Sequence, residues 1–178
     1  MLLVPKALAE KGIVNKKLSL DGDGDYVQIA DSDVLFTSTP FTVEAWFNIK
    51  SLGEELNAIL ANDEYEVHVV NASRIQAWDN GTGFLMGVTT IQTDTWYHVA
   101  FINNGTSREI FLNGLLDGQD AVALPPFNAP QELWIGNDPA PPSRDFSGLI
   151  DEVRVWNVAR TQEQIQLWMN RRIWRPKE

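Results

Sequence analysis

Phe41-Thr-Val-Glu-Ala-Trp-Phe-Asn-Ile-Lys50 has the clearest strand pattern in the chain. Every second residue from position 41 to position 49 is apolar, which is the period of a β-strand with one face against a core. The positions between them are polar except for Trp46. An indole among polar neighbours indicates that the second face of this strand is partly covered or lines a concave surface.

Short strands recur on both sides of this segment, and glycine, asparagine, aspartate and proline separate them. The predicted strands cover residues 17–20, 26–29, 41–50, 58–60, 65–70, 74–78, 84–88, 96–102, 109–112, 133–135 and 149–156. This rhythm is typical of an all-β sandwich or barrel. After the last strand, Thr161 and Gln164 match a capping box, which predicts a short C-terminal helix.

Length and composition fit one folded domain with extensions at both ends. The 178 residues include 44% hydrophobic and 21% charged side chains and no cysteine, so no disulfide framework is expected. The first residues resemble a signal peptide only faintly, because Pro5 and Lys6 interrupt the apolar run. We interpret residues 1–16 as an N-terminal arm, residues 17–170 as the domain and residues 171–178 as a basic tail.

The charge and hydropathy patterns exclude two classes of partner. A formal net charge of −10 repels phosphate backbones, so we expect no nucleic-acid partner. No run of 18 apolar residues occurs, so we expect no insertion into a membrane.

Seven segments follow one another in a recognisable order. They are Leu18-Ser-Leu-Asp-Gly-Asp-Gly-Asp-Tyr-Val-Gln-Ile29, Phe41-Thr-Val-Glu-Ala-Trp-Phe47, Trp96-Tyr-His-Val-Ala100, Leu112-Asn-Gly114, Leu133-Trp-Ile-Gly136, Phe146-Ser-Gly-Leu-Ile-Asp-Glu-Val-Arg-Val-Trp156 and Ala159-Arg-Thr-Gln-Glu-Gln-Ile165. Together they resemble the motifs of laminin-G-like domains of the concanavalin-A-like lectin/glucanase superfamily. The resemblance implies a two-sheet antiparallel jelly-roll sandwich with one concave face, followed here by the short helix. It does not identify a ligand, because one fold serves many functions.

An acidic turn is a candidate calcium site. Asp21, Asp23 and Asp25 alternate with glycines, and carboxylate oxygens in a tight turn suit Ca²⁺. Period two places Asp151 on the apolar face of its strand, where a carboxylate needs a cation or hydrogen-bond donors. In similar domains calcium often joins such an acid to the opening turn, and the resemblance implies that Asp21 and Asp151 are the matching positions. The alternatives are a solvated hairpin turn and an Asp151 that accepts backbone N–H groups.

A second candidate site is a sugar-binding surface. Sugars stack on aromatic faces while polar side chains hydrogen-bond their hydroxyl groups. Trp78, Tyr65, Asp79, Asn80 and Arg144 are predicted at strand ends or in loops and could supply such groups. The alternative is that these are ordinary residues at the rim of the sandwich.

Other conspicuous side chains are interpreted as structural. Trp46, Trp96 and Trp134 lie within the family motifs, where core or sheet-covering roles are expected. His68 and His98 lack the spacing of paired metal ligands.

We predict that the chain is not an enzyme. Glucanases of the superfamily carry a Glu-x-Asp-x-x-Glu pattern, which is absent here, and retaining hydrolysis needs two carboxyl groups close together. Asp151 and Glu152 are adjacent on a strand, so they are expected to point to opposite faces.

Two non-catalytic functions remain as hypotheses. The first is a structural protein of a larger assembly, such as a decoration or adhesion protein on a virion or extracellular surface, joined to other subunits, or to copies of itself, through its terminal arms. The alternative is a carbohydrate-binding lectin or adhesion module that binds glycans and is stabilised by calcium.

Overall fold

The computed structural model describes residues 2–3, 17–30, 40–52, 55–70, 73–80, 82–123, 132–138 and 144–171. The elements in chain order are β1 (Leu2–Leu3), β2 (Leu18–Asp21), β3 (Val27–Ile29), β4 (Phe41–Ile49), β5 (Leu56–Ala61), β6 (Tyr65–Val70), β7 (Arg74–Asp79), β8 (Gly83–Met86), β9 (Trp96–Asn103), β10 (Arg108–Leu112), β11 (Leu115–Asp120), β12 (Leu133–Ile135), β13 (Ser147–Trp156) and α1 (Gln162–Trp168).

The strands form two antiparallel sheets. The seven-stranded sheet runs β1-β13-β4-β9-β10-β11, and β2 pairs with β13 beside β1. The six-stranded sheet runs β3-β12-β5-β6-β7-β8. The prediction of an all-β, two-sheet antiparallel jelly-roll sandwich with a short C-terminal helix is confirmed.

The hydrophobic core lies between the inner faces of the two sheets. Phe47 of β4 is fully buried and meets the ring of Phe146 at a centroid distance of 6.4 Å. Phe41, also on β4, stacks on Tyr65 of β6 with centroids 4.9 Å apart, and these rings therefore join one sheet to the other. Aromatic pairs of this kind add to the free energy gained from burial alone.

The outer face of the seven-stranded sheet is covered by the C-terminal helix. Thr161 caps α1 and, with Gln164, completes the capping box that the sequence predicts. Ile165 is fully buried against Ala100 and Ile102 of β9 and Phe111 of β10. This cover explains why the polar positions of β4 are buried as well as its apolar ones.

A bulge changes the alternation of side chains along β13. The pairing of β13 with β4 shifts register between Asp151 and Arg154, and Glu152 has a positive φ of 51°. Ile150, Val153 and Val155 all face the core, whereas Asp151 is only half-buried. The prediction that Asp151 shares the face of Val153 and Val155 is therefore wrong, because the bulge inserts a residue between them.

The structure describes only part of the predicted N-terminal arm and C-terminal tail. Leu2 and Leu3 pair with Val155 and Arg154 of β13, so the start of the predicted arm is a strand of this chain's own sheet. Residues 4–16 of the arm and 172–178 of the tail lie outside the described residues. In the described ranges, no helix is long and apolar enough to cross a membrane.

Candidate functional site

A row of side chains crosses the outer face of the six-stranded sheet. The registers of neighbouring strands align one residue from each strand: Gln28, Trp134, Ala61, Glu66, Trp78 and Phe84. Residues directly opposite each other on paired strands point to the same face. The residues that flank Trp134 in the chain, Leu133 and Ile135, belong to the core, so the row points away from the core.

Aromatic side chains stand on both sides of the middle of this row. Trp134 and Trp78 are half-buried, and Phe84 beside Trp78 is 63% exposed. Three strand spacings separate Trp134 from Trp78, or about 14 Å at the usual distance between paired strands. The face thus presents two aromatic surfaces with a polar region between them.

The polar region is a cluster of four charged or titratable side chains. Arg144 Nη1 donates to Glu66 Oε2 at 2.5 Å and to Asp138 Oδ2 at 2.5 Å. His68 Nε2 lies 3.3 Å from the same Glu66 oxygen, and its side chain is fully buried. We refer to Glu66, His68, Asp138 and Arg144 as the central cluster.

Two loop segments hold Asp138 and Arg144 over the sheet. The backbone N–H of Ala58 in β5 donates to the carbonyl of Arg144 at 2.9 Å, which places Arg144 beside the sheet. The side-chain amide of Asn137 donates to Asp145 Oδ1 at 2.7 Å and ties the two segments together. The cluster is therefore built from strand residues below and loop residues above.

Burial alters the titration of two members of the central cluster. It raises the pKa of Glu66 to about 7, and the negative charge of Asp138 acts in the same direction while Arg144 opposes both. Burial also lowers the pKa of His68 to about 3, and the positive charge of Arg144 adds to this effect. The imidazole of His68 is therefore neutral near pH 7.

The central cluster has some features of a metal site and of a hydrolytic site. Three possible metal ligands lie close together, because one ligand atom from each of Glu66, His68 and Asp138 is within 4.8 Å of the other two. Among the described residues this is the one group of three or more such side chains. Arg144 Nη1 bonds both carboxylates and takes the place that a cation would occupy. A hydrolytic site of this superfamily also uses two carboxyl groups, but here both are ion-paired with the same guanidinium. We therefore interpret the arrangement as an ion-paired hydrogen-bonding cluster.

The structure brings together two of the five residues predicted for sugar binding. Trp78 lies opposite Glu66, to which Arg144 is bonded, so Trp78 and Arg144 share the outer face of the six-stranded sheet. Asn80 is exposed in the turn after β7, and its backbone N–H donates to the carbonyl of Glu64 at 2.9 Å. It stands at the edge of this face.

Tyr65 and Asp79 do not face solvent, which corrects the predicted roles of both. Tyr65 is 1% exposed and its ring lies in the core, where burial raises the pKa of its hydroxyl. Asp79 is buried and accepts hydrogen bonds from Arg108 and Thr82. Both residues belong to the inner face because alternation puts them on the same side as the core residues Val67 and Ala77, whereas Glu66 and Trp78 point to the other side.

Asp21 and Asp25 of the predicted calcium turn accept backbone hydrogen bonds through their carboxylates. Asp21 Oδ1 accepts the N–H of Asp23 at 2.9 Å, and Asp25 Oδ2 accepts the N–H of Asp21 at 3.3 Å. Asp145 Oδ1 accepts the N–H of Gly24 at 3.1 Å, which fastens the turn to the loop beside the central cluster. A cation here would compete with these donors, and calcium binding stays a prediction.

Asp151 lies apart from that turn. Ser147 is the residue of β13 opposite Asp21, and Asp151 is four residues, or about 13 Å, further along the strand. Its Oδ1 accepts the backbone N–H of Glu152 at 2.9 Å. The structure thus does not bring Asp21 and Asp151 together.

The opposite side of the sandwich holds a second polar cluster, which α1 and the segment after it enclose. Glu44 is fully buried, and its Oε1 accepts from Trp156 Nε1 at 2.9 Å and from Arg154 Nη1 at 3.4 Å. Burial lowers the pKa of His98 to about 3, and the positive charges of Arg154 and Arg160 add to the effect. Glu44, His98, Arg154 and Arg160 are all buried, so this cluster is not open to solvent.

Sequence reasoning missed most of the central face. Trp134 is interpreted above as a core or sheet-covering residue, and Glu66 and Asp138 are not singled out. The signal for Trp134 was present, because the alternation Leu133-Trp-Ile135 puts the indole on the face opposite two buried aliphatic residues. The meeting of Asp138 and Arg144 with Glu66 depends on loop geometry, for which no local pattern exists.

Residues 21–166 match the family model described as the concanavalin A-like lectin/glucanases superfamily. No curated protein sequence matches the chain significantly.

Solved structures with this fold include several that are named for carbohydrate binding. A Bacteroides ovatus protein, provisionally named a carbohydrate binding protein, is 22% identical with a TM-score of 0.70; the alignment covers 84% of this chain and 47% of that one. Domain 4 of an extracellular arabinanase of Geobacillus stearothermophilus, in complex with arabinotriose, is 21% identical with a TM-score of 0.68 and coverages of 88% and 78%.

A third similar structure carries a charged ligand. It is the CBM40 module of a Ruminococcus gnavus sialidase bound to α2,3-sialyllactose, 13% identical with a TM-score of 0.65 and coverages of 75% and 84%. At these identities the similarity concerns the fold.

Proposed function

The chain belongs to the concanavalin A-like lectin/glucanase superfamily, and from that premise we propose that it is a non-catalytic carbohydrate-binding module. Its ligand lies on the outer face of the six-stranded sheet. The observation that carries the proposal is the arrangement of this face, where half-buried Trp134 and Trp78 stand on either side of the central cluster.

The chemistry of this face suits sugars. A sugar ring has apolar C–H faces that stack on aromatic rings, and its hydroxyl groups both donate and accept hydrogen bonds. The buried carboxylates of Glu66 and Asp138 hold Arg144, whose partly exposed guanidinium supplies hydrogen-bond donors at a fixed position. A few oriented polar groups among aromatic side chains are typical of small-molecule sites.

The similar structures also support a carbohydrate-binding module rather than a structural protein of a larger assembly. One of the three described above is named for carbohydrate binding, and the other two are in complex with arabinotriose and with α2,3-sialyllactose. This favours the carbohydrate-binding alternative over an assembly protein. A virion or extracellular surface location, other protein subunits and self-association stay predictions.

Variants of the two tryptophans test the proposal. We expect the wild-type chain to bind glycans on an array of neutral and acidic oligosaccharides, and to lose about tenfold or more of its affinity in Trp78→Ala and in Trp134→Ala. Trp96→Ala is the matched control, because Trp96 is also half-buried but lies on the seven-stranded sheet. Absence of any glycan binding, or equal binding by all four proteins, would remove the proposed site.

The non-catalytic part of the proposal has its own measurement. We expect no release of reducing ends when the wild-type chain is incubated with the glycans that it binds. Hydrolysis that disappears in Glu66→Gln, with folding unchanged, would make Glu66 a catalytic acid and contradict the proposal.

A further inference from the structure

We infer that this face selects an uncharged glycan segment of at least two sugar units and discriminates against anionic sugars. The inference rests on the proposed function and adds the class of ligand. The charge of the central cluster supports the discrimination against anions, and the spacing of the two tryptophans supports the minimum length of the ligand.

The charge of the central cluster excludes a dedicated site for an anion. One guanidinium, Arg144, faces two carboxylates, Glu66 and Asp138, and bonds both through Nη1. With Glu66 protonated the three charges sum to zero, and with Glu66 ionised they sum to −1. An anionic sugar would meet no net positive charge in either state, and it would have to compete with two carboxylates for Arg144.

The surroundings of the cluster do not reverse this balance. Arg74 is the other cation on this face among the described residues of β3, β5, β6, β7, β8 and β12. It stands four residues from Trp78 on β7, about 13 Å along the strand. The whole chain carries a formal net charge of −10, so its long-range field also repels anions.

The spacing of the aromatic side chains determines the minimum size of the ligand. Trp134 on β12 and Trp78 on β7 are separated by β5 and β6, which corresponds to about 14 Å across the sheet. One sugar ring cannot stack on both indoles and also reach the cluster between them. A ligand that uses the whole row therefore has several units and runs across the strands.

The first arm of the test varies ligand length. Isothermal titration calorimetry would compare arabinose, galactose and glucose with their two-, three- and four-unit oligosaccharides. For the series that binds, we expect affinity to rise about tenfold or more from one to three units, because the second indole becomes engaged. Trp134→Ala should abolish the gain with length and leave the binding of one unit nearly unchanged.

The second arm varies ligand charge at constant shape. Fully methyl-esterified trigalacturonate would be compared with the de-esterified acid, and the methyl ester of α2,3-sialyllactose with free α2,3-sialyllactose. We expect the charged member of each pair to bind about tenfold more weakly or worse at low salt, and part of the difference to vanish in 0.5 M salt, since salt screens repulsion. Glu66→Gln should also reduce the difference.

The outcomes separate this inference from the proposed function. Glycan binding that is independent of length, or that favours the charged member of a pair, would overturn the inference and leave carbohydrate binding intact. Binding of no glycan in either arm would overturn both.

Discussion

Glu66 is a carboxyl group whose surroundings disfavour its charge. It is buried beside Asp138, and a single guanidinium only partly compensates for these two effects. A carboxyl whose pKa is raised in the folded protein binds more protons there than in the unfolded chain. Protonated Glu66 therefore contributes to the free energy of unfolding at low pH. This contribution is lost as the pH rises from 4.5, the ordinary pKa of a glutamate, to about 7, the pKa of Glu66 in the folded protein.

Replacement of Glu66 by glutamine should remove this pH dependence. Between pH 4.5 and 7.5, we expect the stability of the wild type to fall by about 1–2 kcal/mol relative to Glu66→Gln, after allowance for solvent screening near the partly exposed Arg144. Urea unfolding at half-unit pH steps measures the difference between the two proteins. His68, whose lowered pKa acts in the opposite direction, titrates in both proteins, so the expected effect is read from the difference between the two pH profiles. Parallel pH profiles would contradict the assignment.

Residue-level roles could be predicted only where one strand pattern determines them. Trp78 was predicted as a surface residue and lies on the outer face, whereas Asp79, its neighbour, turned inward to Arg108. The predicted strand ends at residue 78, but β7 continues through Asp79, and the alternation of the strand turns Asp79 to the face opposite Trp78. Which face of β7 is exposed to solvent depends on where the seven-stranded sheet packs against it.

At the scale of elements, α1 determines that the two outer faces differ. The helix covers β9 and β10 through one fully buried side chain, Ile165, and leaves the six-stranded sheet uncovered by any helix in the described part of the chain. Leu167 and Trp168 of the same helix face solvent. Docking of the helix therefore depends on a narrow apolar contact and on the hydrogen bonds around it.

Shortening the side chain of Ile165 should weaken the docking of α1 on the seven-stranded sheet. We expect Ile165→Ala to lower the free energy of unfolding by about 2–4 kcal/mol, the usual cost of removing a large buried aliphatic side chain. Leu167→Ala, two residues away and 52% exposed, should change it by less than about 0.5 kcal/mol. Chemical denaturation gives both values, and hydrogen exchange at the β9 amides should speed up only in the first variant. Equal effects of the two changes would show that α1 is not docked as described.

The strands and the helix followed from periodicity, but their irregularities did not. The capping box at Thr161 and the alternation in β4 are local, so the sequence predicted both. The bulge in β13 is produced by its pairing with β4, and it moved Asp151 off the predicted face. A local pattern contains no information about the register of a partner strand.

At the scale of the whole molecule, a buried ion-paired group links the two sheets. Arg108 of β10 is 1% exposed; its Nη1 donates to Asp79 of β7 and to the carbonyl of Gly83 in β8, and its Nε donates to Asp120 of β11 at 3.0 Å. One side chain thus joins strands from both sheets. Removal of Arg108 leaves the carboxylate of Asp79 buried without a compensating charge.

Arg108→Met should therefore lower the free energy of unfolding, although methionine has a volume similar to that of arginine. We expect a loss of about 3–5 kcal/mol in urea unfolding. Arg74→Met, at an exposed position, is the matched control and should cost less than about 0.5 kcal/mol. The combined replacement of Arg108, Asp79 and Asp120 by neutral residues should recover part of the loss, because no isolated charge then remains. A small effect of Arg108→Met alone would refute the link between the sheets.

Both sheets are completed by pairing between the two ends of the chain: β2 joins β13, and β3 joins β12. During synthesis, the N-terminal strands emerge from the ribosome long before their partners exist. Loop closure over such a distance in sequence slows folding. Until β13 has emerged, one edge of β4 stays unpaired, and a stalled or prematurely terminated chain would expose that edge to aggregation.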